Sequence, residues 1–341
     1  MESLNIFLRD SLFGRLLNYA SKGRFFSYNV SQTLEDEELP SPNSQGQIIV
    51  GFVSPDDKDM PHNWPALARM VAGLNLLLLN FSFYAASALL TPSISGIEEE
   101  FGATTAEGTL GLSLFVIAYG IGPLLLFPLS SLPTLGRSPV YVLGCLAFCL
   151  FNIRTALAKN LQTVLVLRFF GGFAGSTPIS VGGASLMEIF EPNEFPYAIA
   201  FYAVSGVCGP VLGPRWDTWT AILWLLSGIA AFTTVSTFFF LPETLSENIL
   251  LRRAKRLREQ TGNPAYHSEA EVQSPTTNLA LRIIKDMDNN LKLACLDPVI
   301  LFININTMLS ILNYLDGFYS RYIIKALPLA APSILKLLEI R

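Results

Sequence analysis

Charge is scarce in this chain of 341 residues: Asp, Glu, Lys and Arg make up 15%, against 51% hydrophobic residues. A soluble domain carries about 25% charged residues, so an ordinary water-facing surface is excluded. Histidine is scarcer still. His62 and His267 both lie in polar segments, which excludes a histidine-based metal site, and no other ligand cluster suggests a metal. The four cysteines, Cys145, Cys149, Cys208 and Cys295, form no CxxC pair. Cys145 and Cys149 share a helix face within an apolar stretch and read as packing residues. Polar catalytic residues do not gather at one depth of any apolar stretch; Arg154, Arg168 and Glu188 stand apart from one another. That argues against a membrane-embedded enzyme, and no cofactor is implied. The amino end has no short apolar core with a small-residue cleavage site, so it does not read as a signal peptide.

Long apolar runs are plentiful instead, and they specify an all-α membrane protein that crosses the bilayer several times, at about 20 residues per crossing. The first span is read from Arg69 to Thr91, the second from Thr109 to Ser130 and the third from Val140 to Leu157. The fourth covers Leu165 to Phe190, the fifth Tyr197 to Pro214 and the sixth Thr220 to Leu241. The fourth organises the rest. Arg168 sits inside its apolar beginning, and Gly172, Gly175 and Gly182 follow on the same helical stripe. Small residues on one face let a neighbouring helix approach closely. A charge inside a span is expensive unless it faces a polar interior, so Arg168 is a functional candidate, with snorkelling to a headgroup as the plainer alternative. Asn80, Tyr84 and Ser87 form a polar stripe on the first span, and Phe115, Tyr119 and Gly122 share a face of the second, which Pro123 and Pro128 can bend.

Four regions follow. Residues 1–62, with the acidic run Glu35-Asp36-Glu37-Glu38, read as a mostly disordered cytosolic tail holding one short amphipathic stretch, Ser11 to Tyr19. Residues 63–241 form the six-span bundle. Residues 242–296 hold a basic amphipathic helix and a cytosolic linker. That helix is expected to start at a Thr244-x-x-Glu247 capping box, to stop at Gly262, and to lie on anionic lipid through Arg252, Arg253, Lys255, Arg256 and Arg258 rather than on nucleic acid. Residues 297–341 are read as a seventh span, Pro298 to Leu315, and a divergent tail. The basic residues follow the second and sixth spans, so the positive-inside rule places the amino terminus and the linker in the cytosol.

The motifs carry a resemblance. PLSSLPTLGRSPVY, Pro128 to Tyr141, resembles the loop between the second and third helices of the major facilitator superfamily, with Gly136 and Arg137 at its turn. LVLRFFGGFAGS, Leu165 to Ser176, resembles the family's fourth-helix motif, whose buried arginine takes part in proton coupling. SGVCGPVLGP, Ser205 to Pro214, resembles the fifth-helix antiporter motif through Gly206, Gly209, Pro210 and Gly213. FLPETLSENILLRRAKRLREQTGN resembles the exit from the sixth helix in fungal multidrug antiporters of the benomyl- and caffeine-resistance type. Three positions depart from the pattern. Ser131 stands where an acidic residue is usual, Gly171 replaces a polar residue, and RWDTW follows Pro214 where relatives have a longer helix end.

The resemblance implies a proton-driven exporter of drugs or fungal metabolites, built as two halves around a central site and placed in the plasma membrane. It implies that Arg168 couples the proton. With the polar and aromatic faces, it makes Asn80, Tyr84, Phe115, Tyr119 and Tyr202 candidates for the substrate wall. Its partners would be the lipid bilayer, protons and small apolar or amphipathic substrates. The chain reads as the six-helix amino-terminal half of such a fold plus about one further helix. Alone, it is expected to export little or nothing and to self-associate, bind a partner or be degraded, because polar faces meant for a second half would otherwise meet lipid. The alternative is a non-transporting remnant or an accessory membrane protein.

Overall fold

Helix start and stop signals divide the apolar runs where hydropathy alone cannot. A computed structural model describes residues 9–21, 46–52, 54–90, 94–211, 218–273, 279–302 and 305. A short helix, α1 (Leu12–Ala20), precedes strand β1 (Ile48–Val50) and a tight turn at Pro61–Asn63. Pro65 then leads into α2 (Ala66–Ala88), the first span. After α3 (Ile94–Phe101), the second span α4 (Thr105–Ser130) opens with a capping box. Thr104 Oγ1 accepts from Glu107 N, and Glu107 Oε2 accepts from Thr104 N at 2.9 Å. Pro123 and Pro128 sit inside α4 without ending it.

The third span, α5 (Arg137–Ala156), starts immediately after Gly136, whose φ of 82° is the left-handed region that suits glycine. The fourth span is two helices rather than one rod, α6 (Leu161–Gly175) and α7 (Thr177–Ile189), broken at Ser176. Pro178, near the start of α7, has no N–H to donate back into α6, so the ladder stops there. The fifth span holds α8 (Phe195–Val211), whose 17 residues cover about 25 Å at about 1.5 Å per residue; residues 212–217, which follow it, lie outside those described. The sixth is α9 (Trp219–Phe240). Among the described residues, α2, α4, α5, α6–α7 and α9 are long and apolar enough to cross a membrane, and α8 is the shorter apolar helix beside them.

The spans pack in pairs: α2 with α8, α4 with α6, and α5 with α9, while α5 also meets α6 and α2 meets α9. Two apolar clusters fill the bundle. One is built on Phe83, Phe115, Phe148 and Leu226; the other on Trp64, Leu76, Tyr141, Leu186 and Ile189. The outside reverses the habit of a soluble protein. Leu143, Val166, Phe201 and Phe232 are exposed, whereas Asn75, Asn80, Asn152, Arg168 and Thr237 are buried. Lipid accepts the first set, and only a protein interior can accept the second.

Beyond α9 the chain forms α10 (Ser246–Thr261), β2 (Tyr266–Ser268) and α11 (Glu269–Gln273). β2 lies parallel to β1, with Ile48 opposite Tyr266 and Val50 opposite Ser268. Val50, Ala254, Leu257 and Tyr266 close a small core beneath α10. This differs from the sequence reading in three ways. Part of the expected tail is folded, because β1 and α1 find partners after the sixth span. Thr244 does not cap α10; its hydroxyl meets Ser185 Oγ at 3.1 Å, and Glu188 takes the capping role by accepting from Ser246 N at 3.1 Å. The face of α10 expected to meet lipid is largely turned inward, with Arg253 on Asp57 at 2.7 Å and Arg258 on Glu271 at 2.8 Å. Gly262 does end the helix, at φ 68°. A separate unit, Asn278–Arg341, contributes α12 (Leu279–Leu296), with Asp297 Oδ1 accepting from Val299 N at 2.9 Å. The seventh span is read on residues that lie mostly outside those described, which reach only residues 298–302 and 305 of it.

Candidate functional site

Arg168 lies on α6, one turn before Gly172, and is 1% exposed. Its Cζ stands 4.4 Å above the centroid of the Phe115 ring. Nη2 donates to Ala86 O at 3.2 Å, a carbonyl at the end of α2 where intrahelical donors run out. Nε and Nη1 have no hydrogen-bond partner among the described residues, and no carboxylate there pairs with the guanidinium. The snorkelling alternative fails on this geometry, because the head points into the bundle.

The floor beneath the guanidinium is aromatic. Phe115 stacks on Phe83 at 5.4 Å, Tyr119 meets Phe83 edge-on at 5.8 Å, and Phe148 and Tyr84 flank Phe83 at 5.9 and 6.2 Å. The glycine stripe makes this approach possible. A Cβ on Gly172 would collide with the Phe115 backbone, and one on Gly175 with the Phe83 and Phe148 rings. Of the expected residues, Phe115 lies directly under Arg168, and Tyr119 and Tyr84 join the same aromatic cluster through Phe83. Phe83 and Phe148 complete the floor. Phe83 was legible as the position three after Asn80, on the face of the polar stripe; Phe148 carried no distinguishing signal.

Asn80 and Tyr202 belong to a neighbouring joint between α2 and α8. Asn80 Nδ2 donates to Tyr202 O at 2.8 Å and to Ser205 Oγ at 3.1 Å. Tyr202 Oη donates to Pro178 O at 2.6 Å, its ring lying over Gly182. Gly206 fits against Asn80 and Tyr84. Asn80, Phe115 and Tyr202 are 2%, 0% and 9% exposed, so helix contacts within this bundle cover them; Tyr84 and Tyr119 are half-buried. Gly209 and Pro210 lie in the last turn of α8, and Gly213 falls outside the described residues.

At the bundle end that carries α10, Gly136 and Arg137 sit in a charge network that the motifs only half disclosed. Arg137 Nη2 pairs with Glu188 at 2.9 Å. Its backbone N–H donates to Glu243 Oε1 at 2.8 Å, and Leu245 N reaches the same oxygen at 3.2 Å. Arg15 meets the other Glu243 oxygen at 3.0 Å. Ser131 stays out of the network and donates to Phe127 O. No group of three or more His, Cys, Asp or Glu among the described residues could hold a metal ion.

Apolar helices outside, a buried charge and polar joints inside, and glycine-mediated contacts between spans define a multi-pass helical membrane protein. Residues 76–335 match the Major Facilitator Superfamily, and the chain belongs to that family. It is 37% identical to the transporter mfs1 of Schizosaccharomyces pombe over 92% of this chain and 62% of that protein. The MFS-type transporter pyvG of Aspergillus violaceofuscus is 34% identical, over 77% of this chain and 50% of the relative. Fluconazole resistance protein 1 of Saccharomyces cerevisiae is 32% identical, over 81% and 52%. The chain thus resembles the fungal drug-resistance branch of the family and spans about half to three-fifths of the length of these curated relatives.

Proposed function

We propose that the chain provides the six-span half of a proton-coupled exporter of small apolar or amphipathic molecules, with Arg168 as the coupling group. The observation that carries this is the incomplete solvation of Arg168. Taking a guanidinium out of water costs several kcal/mol. One charge-assisted hydrogen bond returns about 1.5–3 kcal/mol, and a desolvated ring contact about 2 kcal/mol. Two donors remain unused. The charge is therefore held but unsatisfied, and an acceptor that enters or loses a proton nearby changes its energy directly.

Tyr84 and Tyr119 present the substrate side of the aromatic floor, while Asn80, Phe115 and Tyr202 position them. The names of the relatives support drug-like small molecules as the cargo. The positive-inside pattern supports a cytosolic amino-terminal segment and a cytosolic α10, and the plasma membrane is the location proposed from the likeness to drug-resistance transporters. The test is gradient-driven efflux of a fluorescent drug from pump-deficient cells, using this chain joined to the part of the Schizosaccharomyces pombe relative that the match does not cover. Arg168→Ala should abolish efflux without lowering the protein's level. Arg168→Lys should restore it only in part, since an ammonium cannot reproduce the planar fork. Full efflux by the alanine variant would overturn the assignment.

A further inference from the structure

Nine residues are too few to hold a helix in water unaided, so α1 owes its fold to what it touches. Ser11 caps it, its Oγ accepting from Gly14 N at 3.1 Å, and also bridges to Pro242. Glu243 N donates to Asp10 O at 3.2 Å, and Arg15 Nη1 pairs with the buried Glu243 carboxylate at 3.0 Å. Phe13 packs against Phe238 and Phe239, with ring centroids 5.9 and 4.8 Å away. These contacts fix the rotation of the helix. With about 100° between successive residues, Leu12, Leu16 and Tyr19 fall on one arc, and Leu16 and Tyr19 are 52% and 87% exposed. The outward arc of a helix on a water-facing surface is ordinarily polar; this one is apolar. Through Phe13, the helix also adjoins the apolar end of a membrane-crossing helix. Phe239 and Phe240, in the last turn of the membrane-crossing α9, are 37% and 45% exposed beside it.

We propose that α1 is an interfacial helix whose Leu16–Tyr19 face is seated in the lipid at the membrane surface. The partner is the bilayer itself. A short amphipathic helix buries its apolar face at the boundary of headgroups and acyl chains, and a tyrosine suits that depth. Because Arg15 shares Glu243 with the Arg137 backbone, α1 ties the lipid surface to the turn between the second and third spans. This holds whether or not the chain exports anything.

The test is spin-label accessibility in phosphatidylcholine–phosphatidylserine vesicles, on the full chain with Cys208 and Cys295 replaced by serine and the buried Cys145 and Cys149 retained. Labels are placed at Leu16→Cys and Tyr19→Cys. Leu143→Cys on the outer face of α5 serves as the lipid reference, and Ser54→Cys, which is exposed, as the water reference. The ratio of oxygen to nickel-chelate collision at Leu16 and Tyr19 should exceed Ser54 several-fold and fall between Ser54 and the deeper Leu143, as a site at the headgroup boundary requires. A ratio grouping with Ser54 would overturn the proposal. So would access to neither reagent, the pattern of a face covered by protein such as a second copy.

Discussion

Gly136 carries two constraints at once. Its backbone is left-handed, and a Cβ there would fall on the Glu243 carboxylate and lie 3.1 Å from Asn248 Cγ. With ψ at 175° Gly136 lies where essentially only glycine is found, and alanine there costs about 1–3 kcal/mol. Displacing a buried carboxylate from its donors adds a further penalty of about 1–3 kcal/mol. Gly262 is milder on both counts, since φ 68° and ψ 4° place it in the left-handed helical region and a Cβ there would face open space. Gly136→Ala should therefore lower the thermal unfolding temperature of the detergent-purified protein clearly more than Gly262→Ala. Equal losses would remove Glu243 from the account. Phe115 offers a second case. Phe115→Leu keeps an apolar side chain but removes the ring under Arg168, and should cost about 1–3 kcal/mol of stability. A neutral substitution, measured by the same melt, would show that the guanidinium does not depend on that ring.

Helices with local signals were legible in the sequence, and those closed by distant partners were not. Gly172 and Gly175 announce a close approach because their spacing is read within one helix, and Pro65 and Gly262 mark a start and a stop on their own. The break at Ser176 was missed because Pro178 sits where a proline starts a helix as readily as it bends one. The start of α10 was misplaced because Glu188, from the end of α7, satisfies its first amide, and no local pattern encodes that. β1 and β2 are three residues each and pair across the whole bundle, so neither carries a readable strand signal. The fork from Arg258 to Glu271 holds α10 against α11 and also gives this contact a pH dependence. Partial burial pushes the Glu271 carboxyl up. The Arg258 hydrogen bonds, the Ser268 N–H and the Arg258 and His267 charges outweigh it and hold the group below its ordinary 4.5. A carboxyl lowered on folding stabilises the folded state above its unfolded value and loses that contribution as pH falls through the folded one. Amide exchange in α10 should thus quicken as pH drops below about 4.5, after correction for intrinsic exchange. Glu271→Gln should remove the dependence. An unchanged acid response in that variant would place the sensitive group elsewhere.

The bundle taken together divides its surfaces between lipid, protein and water, and the division could be read only in part from composition. Apolar excess identifies the membrane; it does not say which polar stripe is a joint and which is a wall. Asn80, Tyr84 and Ser87 looked equivalent in the sequence, since all three share one face of α2. The structure separates them: Asn80 is consumed by the carbonyl of Tyr202, while Ser87 donates to Tyr84 O within its own helix. Tyr84 keeps part of its ring uncovered, and so does Tyr119 on the facing helix. That distinction can be measured. Single cysteines at Asn80, Tyr84, Phe115, Tyr119 and Tyr202, in a background with Cys208 and Cys295 replaced by serine and the buried Cys145 and Cys149 retained, would be treated with a membrane-impermeant thiol reagent in sealed vesicles of both orientations. Tyr84→Cys and Tyr119→Cys should react. Asn80→Cys, Phe115→Cys and Tyr202→Cys should stay protected, because helix contacts within this bundle seal them and a second half could not expose them without unpacking it. Reaction at all five positions would mean that the α2–α8 and α4–α6 joints open in the membrane. Protection at both tyrosines would mean that the aromatic floor under Arg168 faces protein or lipid, and that the substrate path runs along another face of the bundle.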